Sequence, residues 1–333
     1  MSKAAVLGDG GWGTALALTL LANGHDVMLW GRSPENLETI RRTRENKYLK
    51  GVVIPETLKL ESDPEKVLAD AELVVLAVPS QFQREILARF RNILDPEKCF
   101  IADAAKGIEN STLKRMSELF ADLFGSTENY VVLSGPSHAE ETARGIPTAV
   151  VAASRNLTAA NAVRDFFMSE TFRVYTTDDV AGVELGGALK NVLAIAVGIC
   201  DGMNFGDNTK AALMTRGIAE MARLGNALGG RKETFAGLSG VGDLIVTCMS
   251  RHSRNRFVGE ALGQGKTLEE IRSEMGGSVA EGVKTAISAC ELARRYRIET
   301  PLINAVYNVL YHGLSPEKAV YELMTRSAKQ EQL

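Results

Sequence analysis

The chain has 333 residues, 45% of them hydrophobic and 24% charged, with 38 basic side chains nearly balancing 41 acidic ones. That length predicts about two domains, each with its own core, and the apolar share excludes a disordered chain. A net charge of −3 leaves no overall field to hold a nucleic acid or an anionic membrane.

In chain order, Lys3 to Leu7 reads as a strand, Trp12 to Asn23 as a helix stopped by Gly24, and Asp26 to Trp30 as a second strand. Ser33 and Pro34 carry N-cap and first-turn chemistry, which predicts a helix over Glu35 to Asn46. Further strands are predicted at Leu73 to Val78, Cys99 to Ala102, Tyr130 to Leu133, Thr148 to Ala152 and Phe172 to Tyr175. Helical patterns such as Gln81 to Ile93 and Ser111 to Phe124 separate them. Leu73 to Val78 is apolar without alternation, as a strand covered on both faces requires. These elements predict a doubly wound, largely parallel α/β sheet.

From about Asp178 helical patterns take over: Val183 to Cys200, Lys210 to Leu228, Arg254 to Leu262, Thr267 to Met275, Ser278 to Tyr296, Pro301 to His312 and Pro316 to Thr325. A boundary is expected at Thr177 to Asp179, giving an α/β domain over 1–178 and an all-α domain over 179–333. Val180 to Cys200 is low in charge, but Glu184 and Lys190 near its middle predict a helix in a soluble core rather than a membrane span. The run before Gly8 is too short for a signal-peptide core. Cys99, Cys200, Cys248 and Cys290 show neither zinc-ligand nor disulfide spacing, so free thiols in a reducing cytoplasm are expected.

The segment Gly8-Asp9-Gly10-Gly11-Trp12-Gly13 has G-x-G-x-x-G spacing directly between a strand and a helix of small residues. Gly8 permits the tight turn, Gly10 lets the backbone approach a pyrophosphate, and Gly13 lets the helix pack on the sheet. The helix N-terminus supplies amide donors and dipole. The first domain is therefore expected to be a Rossmann-like dinucleotide-binding domain. At the end of the second strand, Trp30-Gly31-Arg32-Ser33 contains no acid to hold ribose hydroxyls. Arg32 is placed to face a 2′-phosphate, so NADP should be tolerated or preferred, with a solvated surface arginine as the competing reading.

Polar residues after strands carry weight because open α/β sheets bind ligands there. Lys106 precedes Gly107, and Gly135-Pro136-Ser137 forms either a simple turn or a rim around a nicotinamide. Lys190 shares a helical stripe with Val183, Gly186, Gly187, Leu193, Ala194 and Val197. Burial there would lower its pKa and make it a usable proton donor and acceptor; snorkelling at a helix edge is the equal alternative. Leu238 to Asp243 reads as a glycine-bounded turn whose carboxylate can pair with a lysine. Ser253-Arg254-Asn255-Arg256 reads as a helix start suited to a phosphate, although Arg256 could serve only solubility. Glu281 could be a plain helix-start carboxylate.

Taken together, these motifs resemble those of the NAD(P)-dependent glycerol-3-phosphate dehydrogenases of the bacterial type. The likeness spans nearly the whole chain, from the glycine loop through Leu29 to Arg32, Val78 to Ser80, Lys106-Gly107, Ser134 to Ser137, Gly186 to Asn191, Gly240 to Asp243 and Ser253 to Arg256 to Glu281-Gly282. One departure is Gly11, where the family commonly has Ser. The resemblance implies that Gly8, Gly10, Gly11, Trp12, Gly13 and Arg32 contact NADPH or NADH, with Ala139, Val279 and Glu281 lining the same site. It implies that Lys106 and Arg254 touch both cofactor and substrate. Gly135, Ser137, Lys190, Asp243, Ser253 and Asn255 would contact the substrate, and Lys190 would be the catalytic acid/base, helped by Lys106 and Asp243. The implied reaction is reversible reduction of dihydroxyacetone phosphate to sn-glycerol 3-phosphate, supplying the backbone of glycerophospholipids.

A small-molecule substrate is thus expected, with no nucleic acid, no stable membrane insertion, and a homodimer left open. A hydroxyacyl or sugar-acid dehydrogenase of the same plan is the nearest rival. The hydroxyacyl type relies on a His–Glu pair, which neither His252 nor His312 offers in sequence. A non-catalytic nucleotide sensor is the other rival, and retention of Lys106 with Lys190 argues against it.

Overall fold

The computed structural model describes every residue except Gly277, Lys329, Gln332 and Leu333. Two compact units emerge: Met1–Ala105 with Met116–Val180, and Lys106–Arg115 with the chain from Ala181 onward. The chain thus leaves the first unit at Lys106 and re-enters at Met116, an excursion that no change in composition announces.

The first unit is built on one eight-stranded sheet: β1 (Lys3–Leu7), β2 (Asp26–Trp30), β3 (Lys59–Glu61), β4 (Leu73–Leu76), β5 (Phe100–Asp103), β6 (Tyr130–Ser134), β7 (Thr148–Ala153) and β8 (Phe172–Thr177). The strand order is β3-β2-β1-β4-β5-β6-β7-β8. Neighbours run parallel except β6 against β7. The helices of this unit are α1 (Gly11–Ala22), α2 (Pro34–Thr43), α3 (Pro64–Leu68), α4 (Ser80–Phe90), α5 (Met116–Phe124), α6 (Ala139–Thr142) and α7 (Leu157–Phe167). Strand order reverses between β1 and β4, the switch point where such sheets bind ligands beyond the carboxyl ends of their strands. All four residues of β4 are buried, which explains its unbroken apolar run.

The helix expected from Ser111 begins only at Met116. Ser111 to Arg115 instead belong to a loop closed by a bridge between Ile108 and Arg115, with Leu113 in the left-handed region at φ 61°. Glu109 N–H donates to the Lys114 carbonyl at 3.0 Å, so this backbone is satisfied within the loop rather than in a helix.

The second unit holds α8 (Val180–Gly202), α9 (Asp207–Ala227), α10 (Lys232–Phe235), α11 (Asp243–Met249), α12 (Arg254–Gly263), α13 (Leu268–Glu274), α14 (Glu281–Arg295), α15 (Pro301–Tyr311) and α16 (Pro316–Met324). The turn expected over Leu238 to Asp243 is helical instead: Leu238–Gly242 forms a π-helical turn that runs into α11 and puts Asp243 in its first turn. Gly240 there presses on the Phe235 backbone so closely that any Cβ would strike the Phe235 carbonyl. Helix α8 is the centre of this unit and is buried over most of its length. Among the described residues it is the one helix long and apolar enough to cross a membrane, and it is covered by protein.

Helices α8 and α12 approach backbone to backbone. Gly198 and Gly202 on α8 meet the carbonyls of Arg256 and Glu260, while Gly259 and Gly263 on α12 meet those of Ile195 and Ile199. Both helices thus carry glycines four apart on one face, and any side chain at these positions would collide with the opposite backbone.

Candidate active site

Three charged side chains distant in sequence meet in the second unit. Lys190 sits on α8, Asp243 opens α11, and Lys106 begins the excursion after β5. The Lys190 Nζ lies 2.8 Å from Asp243 Oδ1, and the Lys106 Nζ lies 2.7 Å from Asp243 Oδ2. The side chains of Lys190 and Asp243 are only 7% and 2% exposed, whereas that of Lys106 keeps 15%. Snorkelling is therefore excluded for Lys190. Burial pushes its ammonium down to about 8; Asp243 pulls it back up and Lys106 adds to the fall. For Asp243, burial alone would raise the carboxyl, but the ammonium groups of Lys106 and Lys190 outweigh it and hold the group below the usual carboxylate range. Two ammonium groups on one carboxylate leave a net positive site, suited to an anionic ligand.

Thr247, not anticipated from the sequence, completes the cluster. Its Oγ1 accepts from Lys190 Nζ at 2.7 Å and donates to the Asp243 carbonyl at 2.6 Å, which fixes the direction of the ammonium. The signal was its position one helical turn after Asp243, visible only once that stretch is known to be helical.

A second missed residue, Asn191, ties the surrounding pieces together. Its Nδ2 donates to the Lys106 carbonyl at 3.2 Å, and its Oδ1 accepts from Asn255 Nδ2 at 2.8 Å. Asn255 Oδ1 in turn accepts from the Gly282 amide at 2.9 Å. This amide ladder joins the Lys106 backbone, α8, α12 and the start of α14, and it buries Asn255. Ser253 caps α12, its Oγ accepting from the Arg256 amide at 3.1 Å, and Arg254 stands exposed in the first turn. Arg256 is no solubility residue: its Nε lies 2.6 Å from Asp201 Oδ2, and both side chains are mostly buried. Val279 is half-buried just before α14, and Glu281 opens that helix.

In the first unit the glycine loop follows β1. Gly8 adopts φ +126°, and a Cβ there would stand 2.7 Å from the Ala77 carbonyl beyond β4, so the loop is pressed onto the switch point. A Cβ on Gly13 would strike the Gly8 carbonyl. Above Gly10 no atom of the described residues lies within 4 Å of a Cβ position. At Gly11 a Cβ would come within 2.5 Å of the Tyr48 carbonyl, so glycine here goes with the close approach of the loop after α2. Ala139 lies beside Gly11 and shares a small apolar cluster with Trp12. Gly135 adopts φ +141°, and the Ser137 hydroxyl donates to its carbonyl at 2.8 Å. Arg32 follows β2 and is paired with Glu85 at 3.3 Å, both side chains more than half exposed.

Family models for the N-terminus and the C-terminus of NAD-dependent glycerol-3-phosphate dehydrogenase match residues 3–160 and 179–321. The chain belongs to this family. It is 53% identical over 332 residues to the NAD(P)+ glycerol-3-phosphate dehydrogenase of Pelotomaculum thermopropionicum, covering 99% of this chain and 95% of that one. The crystal structure of glycerol-3-phosphate dehydrogenase from Coxiella burnetii superposes with a TM-score of 0.93 at 39% identity, covering 98% of this chain and 99% of that one. The Saccharomyces cerevisiae enzyme does so at 0.82 and 26% identity, covering 98% of this chain and 99% of that one. The chain is accordingly an NAD(P)-dependent oxidoreductase with a Rossmann-like sheet and a helical C-terminal part.

The residues present fit a dinucleotide. Among the described residues, none fills the space above Gly10 and no side chain caps the first turn of α1, which leaves its amides for an anion. The Trp12 indole N–H is buried without a hydrogen-bond partner among the described residues, a donor that a bound ligand would satisfy.

Proposed function

We propose that this chain reversibly reduces dihydroxyacetone phosphate to sn-glycerol 3-phosphate, with Lys190 as proton donor and acceptor. The observation that carries the reading is the buried Lys106–Asp243–Lys190 cluster. The nicotinamide, when bound, supplies or takes up the hydride. Lys190 donates a proton to the substrate oxygen as negative charge grows there, and takes it back in the oxidative direction. Thr247 and Asp243 aim its Nζ, and Lys106 stabilises the developing charge electrostatically. Arg254 and the amides at the start of α12 hold the substrate phosphate, with Ser253 and Asn255 shaping that end. Binding energy spent on the phosphate thereby aligns the carbonyl.

The first unit is assigned the cofactor, through the glycine loop, Arg32 and Ala139, and the helical unit the substrate. A cytoplasmic location, a homodimer and a supply role for glycerophospholipid synthesis belong to the same proposal; light scattering of the purified chain tests the dimer. The central test follows loss of reduced nicotinamide with dihydroxyacetone phosphate and with hydroxyacyl and sugar-acid analogues. Turnover is expected on dihydroxyacetone phosphate, and Lys190→Ala is expected to lower kcat at least about 100-fold. Undiminished turnover in that variant would remove the role of Lys190, and no turnover in the native chain would remove the reaction.

A further inference from the structure

We propose that Asp9, the second residue of the glycine loop, sets the preference between the two nicotinamide cofactors by holding the adenosine ribose hydroxyls and opposing a 2′-phosphate. The inference rests on the cofactor reading above. Strand β2 lacks the acidic residue that commonly serves this purpose at its end. The structure brings a carboxylate to the same place by another route. Asp9 Oδ2 stands 2.7 Å from the point where a Gly31 Cβ would be, so the glycine after β2 leaves room for a side chain arriving from β1.

The carboxylate is fixed there. Asn36 Nδ2, in the first turn of α2, donates to Asp9 Oδ2 at 2.6 Å, and Asn46 Nδ2 donates to the Asp9 carbonyl at 2.8 Å. Asp9 Oδ1 has no hydrogen-bond donor among the described residues and is left to accept from a hydroxyl. A 2′-phosphate would instead bring two negative charges towards this anion. Arg32, the cation of this end, is shared with Glu85 at 3.3 Å, so its charge is partly spent before any phosphate arrives. NADH is therefore the tighter ligand, and Arg32 is the counter-charge through which NADPH is still accepted.

The test is calorimetric binding of NADH and NADPH to the full chain, repeated with ADP-ribose and its 2′-phosphate to isolate the adenosine end. The native chain should bind NADH and ADP-ribose more tightly than their phosphorylated forms. Asp9→Asn, which keeps the acceptor for Asn36, should move the affinity ratio towards the phosphorylated ligands by about tenfold or more. Arg32→Ala should move it the other way. Should Asp9→Asn fail to fold, Asn36→Ala carries the test: releasing the carboxylate should weaken ADP-ribose several-fold with no matching loss for its phosphate. A ratio unchanged within about twofold in Asp9→Asn, or tighter NADPH binding by the native chain, would overturn the inference while leaving the proposed function intact. Failure of the native chain to bind either cofactor would overturn both.

Discussion

Lys190 is held where a lysine is most useful and most costly: buried, with its ammonium at about 8 rather than in the usual lysine range. That value fixes the sign of a pH dependence. With Lys190 as the proposed proton donor, reduction would consume the protonated form, so kcat for dihydroxyacetone phosphate should be level below about pH 8 and fall above it; oxidation would need the free amine and should rise to a plateau across the same interval. Pre-steady-state rates in both directions check this, and two profiles of the same slope would sink the assignment. Away from this cluster, Glu220 on α9 is buried and accepts from the Leu302 and Ile303 amides at the start of α15, at 2.8 and 3.3 Å. Burial raises its carboxyl to about 7 against those amides and the nearby Arg223 and Arg216. The folded chain therefore binds this proton more tightly than the unfolded one, and the stability it adds is full at low pH and lost as pH rises through about 7. Between about pH 5 and pH 8 the native Tm should drop more than that of Glu220→Gln, which keeps the acceptor without the charge. Spacing could not decide between buried and snorkelling readings of Lys190, because α8 is apolar on every face and a stripe loses its meaning there. Thr247 stayed hidden for a related reason, since the glycines before it made a helical stretch look like a loop.

Among the elements, those carried by periodicity or by an unbroken apolar run were legible, often to within a few residues: β1 and β2, the buried β4, and α12, α15 and α16. Elements whose cause lies in a neighbour were not. Strand β3 is three residues borrowed from its pairing with β2, and the π-helical turn exists because Gly240 can lie against Phe235. The glycines at 198, 202, 259 and 263 belong to the same class, each taking its meaning from the helix opposite. They predict a sharp element-level effect. Gly198→Val should wedge α12 away from α8, cost about 1–3 kcal/mol or more in urea unfolding, and raise KM for the phosphorylated substrate, because α12 carries the proposed phosphate site. A variant with native stability and native KM would show that the two helices part without consequence.

For the whole molecule, a doubly wound, largely parallel sheet and the change from α/β to all-α texture were legible from the run of elements, whereas the strand order and the antiparallel pairing of β6 with β7 were not. The return of residues 106 to 115 to the helical unit was not, because nothing in so short a segment records which body it joins; only its partners do, with Asn191 bonding the Lys106 carbonyl and Glu184 pairing with Arg115 at 2.6 Å. The central position of α8 also has a consequence in time. Its glycine-matched cover, α12, ends at Gly263, about 60 residues after α8 is complete, and α15 follows later still, so at about 5–20 residues per second a growing chain carries this apolar segment uncovered for several seconds. A chain stopped near residue 250 should therefore pellet with membranes or aggregates, whereas one stopped after Met324 stays in solution. During synthesis, the helix that later shelters Lys190 is a passing hazard to the cell, offering a bilayer or a chaperone the same greasy surface until its own downstream sequence arrives.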